Sequence, residues 1–103
     1  MNKLWLIIFN NDNDIEIKQI DILEEHTIKY KVKSEFPFDS YNYIHKFNLN
    51  IVQHNRKDKI RYVVSNNRAT GLQTIKDYCN SKIEAHKYIM SKFKTLQEQL
   101  NML

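Results

Sequence analysis

Glycine, proline and cysteine each occur once in these 103 residues, and alanine only twice. The lone Gly71 cannot build a glycine-rich phosphate loop, which excludes a P-loop or a dinucleotide fingerprint. Cys79 has no second cysteine to bridge to, and no Cys/His spacing of the zinc type surrounds it, so it is expected as a buried, inert thiol. Long apolar runs are also missing. Leu4-Trp5-Leu6-Ile7-Ile8-Phe9 is six residues long and ends in Asn10-Asn11-Asp12-Asn13-Asp14. It is too short for the core of a signal peptide, and nothing approaches the roughly 20 apolar residues of a membrane span. The expectation is a soluble, cytoplasmic protein.

The parts of an enzyme are equally scarce. His26, His45, His54 and His86 stand in different segments without metal-ligand spacing. Glu24-Glu25 and Asp12/Asp14 fall in expected turns, where carboxylates are solvated by default. Cys79 and His86 are seven residues apart, about 10 Å along a helix, too far for a nucleophile and its base. No catalytic residue, metal ligand or cofactor is therefore assigned, and a small hydrolase or nuclease is the least supported reading.

What is present suffices for one core. Hydrophobic residues make up 42%, charged residues 27%, and twelve residues are aromatic. A chain of this length folds as one domain, burying about two thirds of its unfolded surface. The run at 4–9 is apolar on both alternating faces, as in a central strand covered on both sides. Ile15 and Ile17 share one parity and Ile20 and Ile22 the other, which predicts a bulge near Lys18 and Gln19. Ile28, Tyr30 and Val32 alternate with Lys29, Lys31 and Lys33. Pro37 marks a connection, and Tyr41, Tyr43, His45, Phe47, Leu49 and Ile51 share a parity that predicts one long strand. Ile60, Tyr62 and Val64 return after a polar turn.

Beyond Ser65 the period becomes helical. Leu72, Ile75 and Cys79 follow 3–4 spacing, as do Ile89, Phe93, Leu96, Leu100 and Leu103. Thr70 with Gln73, and Ser81 with Glu84, fit capping boxes. The second box, and the polar Lys82 and His86 on the seam, predict a break and two segments near 71–79 and 82–102. The reading is a single α+β domain over 1–103: an antiparallel sheet of about five strands in 3–65, then a broken amphipathic helical region over 71–102.

Charge is uneven along the chain. Residues 1–52 carry six lysines against eight carboxylates, and residues 53–103 carry ten Lys/Arg against four. Two of the three arginines lie in His54-Asn55-Arg56-Lys57-Asp58-Lys59-Ile60-Arg61-Tyr62, and Arg68 follows. Arginine forks on a projecting hairpin suit a polyanion or an acidic protein patch, and Tyr62 could stack on a base or fill the core. His54, Arg56, Lys57, Lys59, Arg61, Tyr62 and Arg68 are thus candidate partner-binding residues. Ile89, Phe93, Leu96, Leu100 and Leu103 form a coiled-coil-like seam with three possible occupants: the chain's own sheet, a second copy, or a different protein.

With 13 lysines against three arginines, 13 isoleucines and 12 asparagines, the composition resembles that of small accessory proteins of phages and mobile elements of low-GC bacteria. That group includes anti-CRISPR and other counter-defence inhibitors. The missing catalytic parts, the basic loop and the apolar seam point to a non-catalytic binding protein, expected as a homodimer through the C-terminal helix, with a protein or ribonucleoprotein partner. The resemblance implies that its use is inhibition of a host defence complex. A small nucleic-acid-binding regulator using the basic 54–61 hairpin is the alternative.

Overall fold

The computed structural model describes residues 3–9, 14–33, 43–55 and 60–103. Among them are six strands and one α-helix: β1 (Lys3–Phe9), β2 (Ile15–Glu25), β3 (Lys29–Val32), β4 (Tyr43–His45), β5 (Gln53–Asn55), β6 (Ile60–Ser65) and α1 (Arg68–Asn101). The α+β class is as the sequence predicts, with six strands in place of about five. All pairings are antiparallel in the order β4-β3-β2-β1-β6-β5. β1 thus begins a four-strand meander, β1 to β4, on one side, and the β5–β6 hairpin lies on its other side.

The double-sided apolar run makes β1 the centre of both cores. Leu4, Leu6 and Ile8 join Ile20, Val32, Ile44 and Val64 on one face, flanked by Ile22, Tyr30, Leu49, Ile60 and Tyr62. Ile7 and Phe9 meet Val63 and Ile75 on the other, beside Ile17, Val52, Leu72 and Tyr78. This two-sidedness explains β2 without the expected bulge. Pairing runs unshifted from Lys3↔Asp21 to Phe9↔Ile15, and Ile17 and Ile20 simply serve opposite cores. The register shift lies further on, between Ile22 and Glu24 against β3.

The long strand expected over 41–51 is also revised. Residues 41 and 42, like Pro37, lie outside the described residues. β4 covers three residues and is followed by a turn of 3-10 helix at Lys46–Asn48. Asn50 then takes φ 60°, a left-handed conformation that asparagine tolerates, and its N–H donates to the Val64 carbonyl at 2.8 Å.

α1 begins at an N-cap provided by Asn67, whose Oδ1 accepts from the Thr70 N–H at 3.0 Å. The buried Ser65 hydroxyl joins strand to helix, donating to the Asn67 carbonyl at 2.7 Å and accepting its N–H at 3.0 Å. The expected break does not occur: α1 is one helix of 34 residues. Glu84 pairs with Lys87 at 3.5 Å instead of capping a first turn, and Lys82 lies over the Tyr78 ring at 5.3 Å. The sheet ends below this point, so polar residues on the seam meet water and carry no desolvation cost there. No helix among the described residues is long and apolar enough to cross a membrane.

Candidate interaction surfaces

A helix has 3.6 residues per turn, so positions 18 apart lie on the same side five turns away. Gly71 and Ile75 are buried against the sheet and Tyr78 is partly buried; 18 residues on stand Ile89, Phe93 and Leu96. The side of α1 that docks on β1 and β6 therefore continues as the apolar seam. Docking is close at its base, where a Cβ added to Gly71 would lie 2.9 Å from Ile7 Cδ1 and 3.1 Å from Ser65 Cβ. It ends within three turns. Every residue from 79 to 103 is exposed, with Ile89 at 49%, Phe93 at 63%, Leu96 at 50%, Leu100 at 59% and Leu103 fully so. Packing of the seam on its own sheet is thus overturned. The groove beside it, between His86, Met90, Phe93 and Gln97, has a single helix as its wall. Ile83 and Met90 widen the apolar strip. Cys79, expected buried, is exposed where the helix leaves the sheet.

The basic hairpin set divides. Arg56, Lys57 and Lys59 lie outside the described residues. His54 and Arg61 are direct partners across β5 and β6, so they share the face on which α1 lies. The Arg61 guanidinium stands 5.9 Å from the Tyr78 ring centre, where α1 leaves the sheet. Tyr62 points the opposite way into the larger core, and its O–H donates to Gln53 Oε1 at 3.2 Å. Burial pushes its phenol above the ordinary value of 10.0. Of the two roles open to Tyr62, it fills the core. Arg68 opens α1 at the other end of the sheet, beyond the Trp5↔Ser65 pair, so it does not join Arg61.

A third surface escaped the sequence. Lys29 and Lys31 pair with His45 and Tyr43 on the outer face of β3 and β4, while Tyr30 and Ile44 face the core. Lys29 Nζ lies 4.4 Å over the Tyr43 ring, and His45 stacks on Phe47 at 5.1 Å. The parity shared by residues 43 and 45 is therefore the outer one in β4. On this face Glu24 stands opposite Lys31 in the register and its carboxylate lies 3.2 Å from His26 Nε2, whereas on the core-facing side of the same strands, beside Tyr30, Lys46 Nζ donates to Glu25 Oε2 at 2.8 Å. That hydrogen bond, with the lysine charge, holds the Glu25 carboxyl below its ordinary value.

Among the described residues no group of three or more His, Cys, Asp or Glu side chains could hold a metal ion. No family model, curated protein or solved structure matches the chain.

Proposed function

We propose that this chain is a non-catalytic binding protein that pairs with a second copy through the exposed side of α1. Each head then offers its sheet to an acidic protein or ribonucleoprotein partner. One observation carries the reading: the docking side of α1 continues, uncovered, through Ile89, Phe93, Leu96 and Leu100. Fully burying side chains of this size contributes about 1.5–3 kcal/mol each, so water is an unfavourable environment for the strip. Pairing presents two copies of His54 and Arg61 on one particle, which raises the avidity for any partner with two acidic sites. Inhibition of a host defence complex is the use implied by the compositional resemblance, and it rests on that resemblance.

Light scattering is the direct test. Twice the chain mass is expected at concentrations up to about 100 μM, with Leu96→Asp weakening association at least about 100-fold by placing a carboxylate in an apolar layer. A wild-type monomer throughout that range refutes the pairing. Direct nucleic-acid binding, the alternative, is supported by the shared face of His54 and Arg61 and by the basic second half of the chain. It requires affinity that falls steeply with salt and weakens in Arg61→Ala.

A further inference from the structure

Resting on that pairing, we infer that the two copies lie antiparallel, with Phe93 of each against Leu96 of the other and the two-fold axis passing between residues 94 and 95. The orientation follows from where the sheet sits. In a parallel pair the seams of both helices face each other along their whole length. Over residues 71–78, however, that side of α1 is covered by its own β1 and β6. Two sheets would have to fit between the helices at that level, holding them about 30 Å apart for layers spaced by about 10 Å. Seam packing requires 8–10 Å between axes, and only residues 79–86 are left to reconcile the two spacings. One continuous α-helix with no break at this level cannot bend so far in two turns.

The register follows from the spacing of the seam. Positions 86, 89, 93, 96, 100 and 103 are separated by 3, 4, 3, 4 and 3 residues, a series that reads the same in reverse. A reversed copy therefore matches it position for position. Ile89 meets Leu100, Phe93 meets Leu96, and His86 meets Leu103 at each end, giving four wholly apolar layers. Lys82 stays outside the overlap, whereas a parallel pair would set Lys82 against Lys82 and His86 against His86. Along the flanks the reversal puts Met90 near Gln97 and Lys92 near Gln99, so no like charges meet. Each head lies beyond the paired stretch, clear of the other. The four layers with these flanks cover on the order of 1,200 Å², the lower end for a stable interface, which fits an affinity in the micromolar range.

The exposed native cysteine offers a ruler without mutation. Cys79 lies outside the overlap, 15.5 residues from the axis on each chain. Nitroxides attached there should be about 46 Å apart by pulsed dipolar spectroscopy, at a rise of 1.5 Å per residue. The separation should disappear in Leu96→Asp, with circular dichroism confirming that this variant remains folded. A separation under about 30 Å overturns the antiparallel arrangement while leaving self-association intact. Peaks near 36 or 56 Å overturn the register, since one heptad of slip changes the distance by about 10 Å. A dimer mass without a dipolar signal also overturns the arrangement. Monomer mass with no signal removes the pairing reading itself, leaving the helix face to a different protein.

Discussion

Gly71 shows how one residue sets the depth of the helix on the sheet. A methyl group there would lie 2.9 Å from Ile7 Cδ1 and 3.1 Å from Ser65 Cβ, closer than unstrained contacts allow. Against this stands helix propensity, which favours alanine over glycine by about 1 kcal/mol. Overpacking a close contact costs about 1–3 kcal/mol, so the steric effect should win. Gly71→Ala is expected to destabilise the protein by about 1 kcal/mol in urea unfolding. Ile7→Val removes the methyl that the new Cβ would meet. In that background the alanine should cost less, with a coupling of about 0.5–1 kcal/mol between the sites. Strict additivity of the two changes would mean that the helix is free to lift off the sheet.

At the scale of elements, most of the fold was legible where both sides of a pattern were constrained. β1 could be placed at the centre because residues 4–9 are apolar on both faces, and both faces proved covered. The change to helical period after Ser65 was equally plain. What failed had a common physical origin: whether a face is covered is a tertiary fact. Lys82 and His86 suggested a break because a covered seam would exclude them, yet the seam is open at that level. Tyr43, His45 and Phe47 alternate like core residues, but Ile44 is the one that is buried. The helix start was missed by three residues because Thr70 and Gln73 imitate a capping box, while Asn67 is the cap and Gln73 bonds Asp77 at 2.9 Å. Arg61, Tyr62 and Arg68 stand close in sequence, but strand alternation turns Tyr62 away from Arg61 and the length of β6 carries Arg68 to the other end of the sheet. If Lys82 and His86 limit the paired stretch, replacing them should extend it. In Lys82→Ile/His86→Leu, positions 82–100 repeat the reversible spacing one heptad lower. Self-association should tighten at least about 10-fold, and the Cys79 separation should fall to about 36 Å. An unchanged affinity in sedimentation would show that these two residues do not bound the seam.

The whole molecule is a small head with a long arm. Its extents are 66 × 25 × 23 Å and its radius of gyration 18.5 Å, against about 13 Å for a compact domain of this length. The head is held by two cores sharing β1; beyond residue 79 the arm has no sheet beneath it. Isolated helices in water are marginal unless a tertiary contact supports them. The arm has a favourable start, since its first turns are nucleated by the Asn67 cap and the contact with β1 and β6. Even so, stability should fall with distance from that anchor in a single copy. Pairing reverses the gradient, because the layers from Ile89 to Leu100 then become a second small core at the far end of the arm. Amide hydrogen exchange separates these states within one molecule. In dilute protein, amides over residues 86–103 should exchange rapidly while those of β1 and β6 remain protected. Raising the concentration through the dissociation constant should slow exchange over 86–103 and leave the head unchanged. Protection of the arm that is strong and independent of concentration would mean that the helix stands without a second copy. In that case the apolar side of α1 would not be used to hold the arm together.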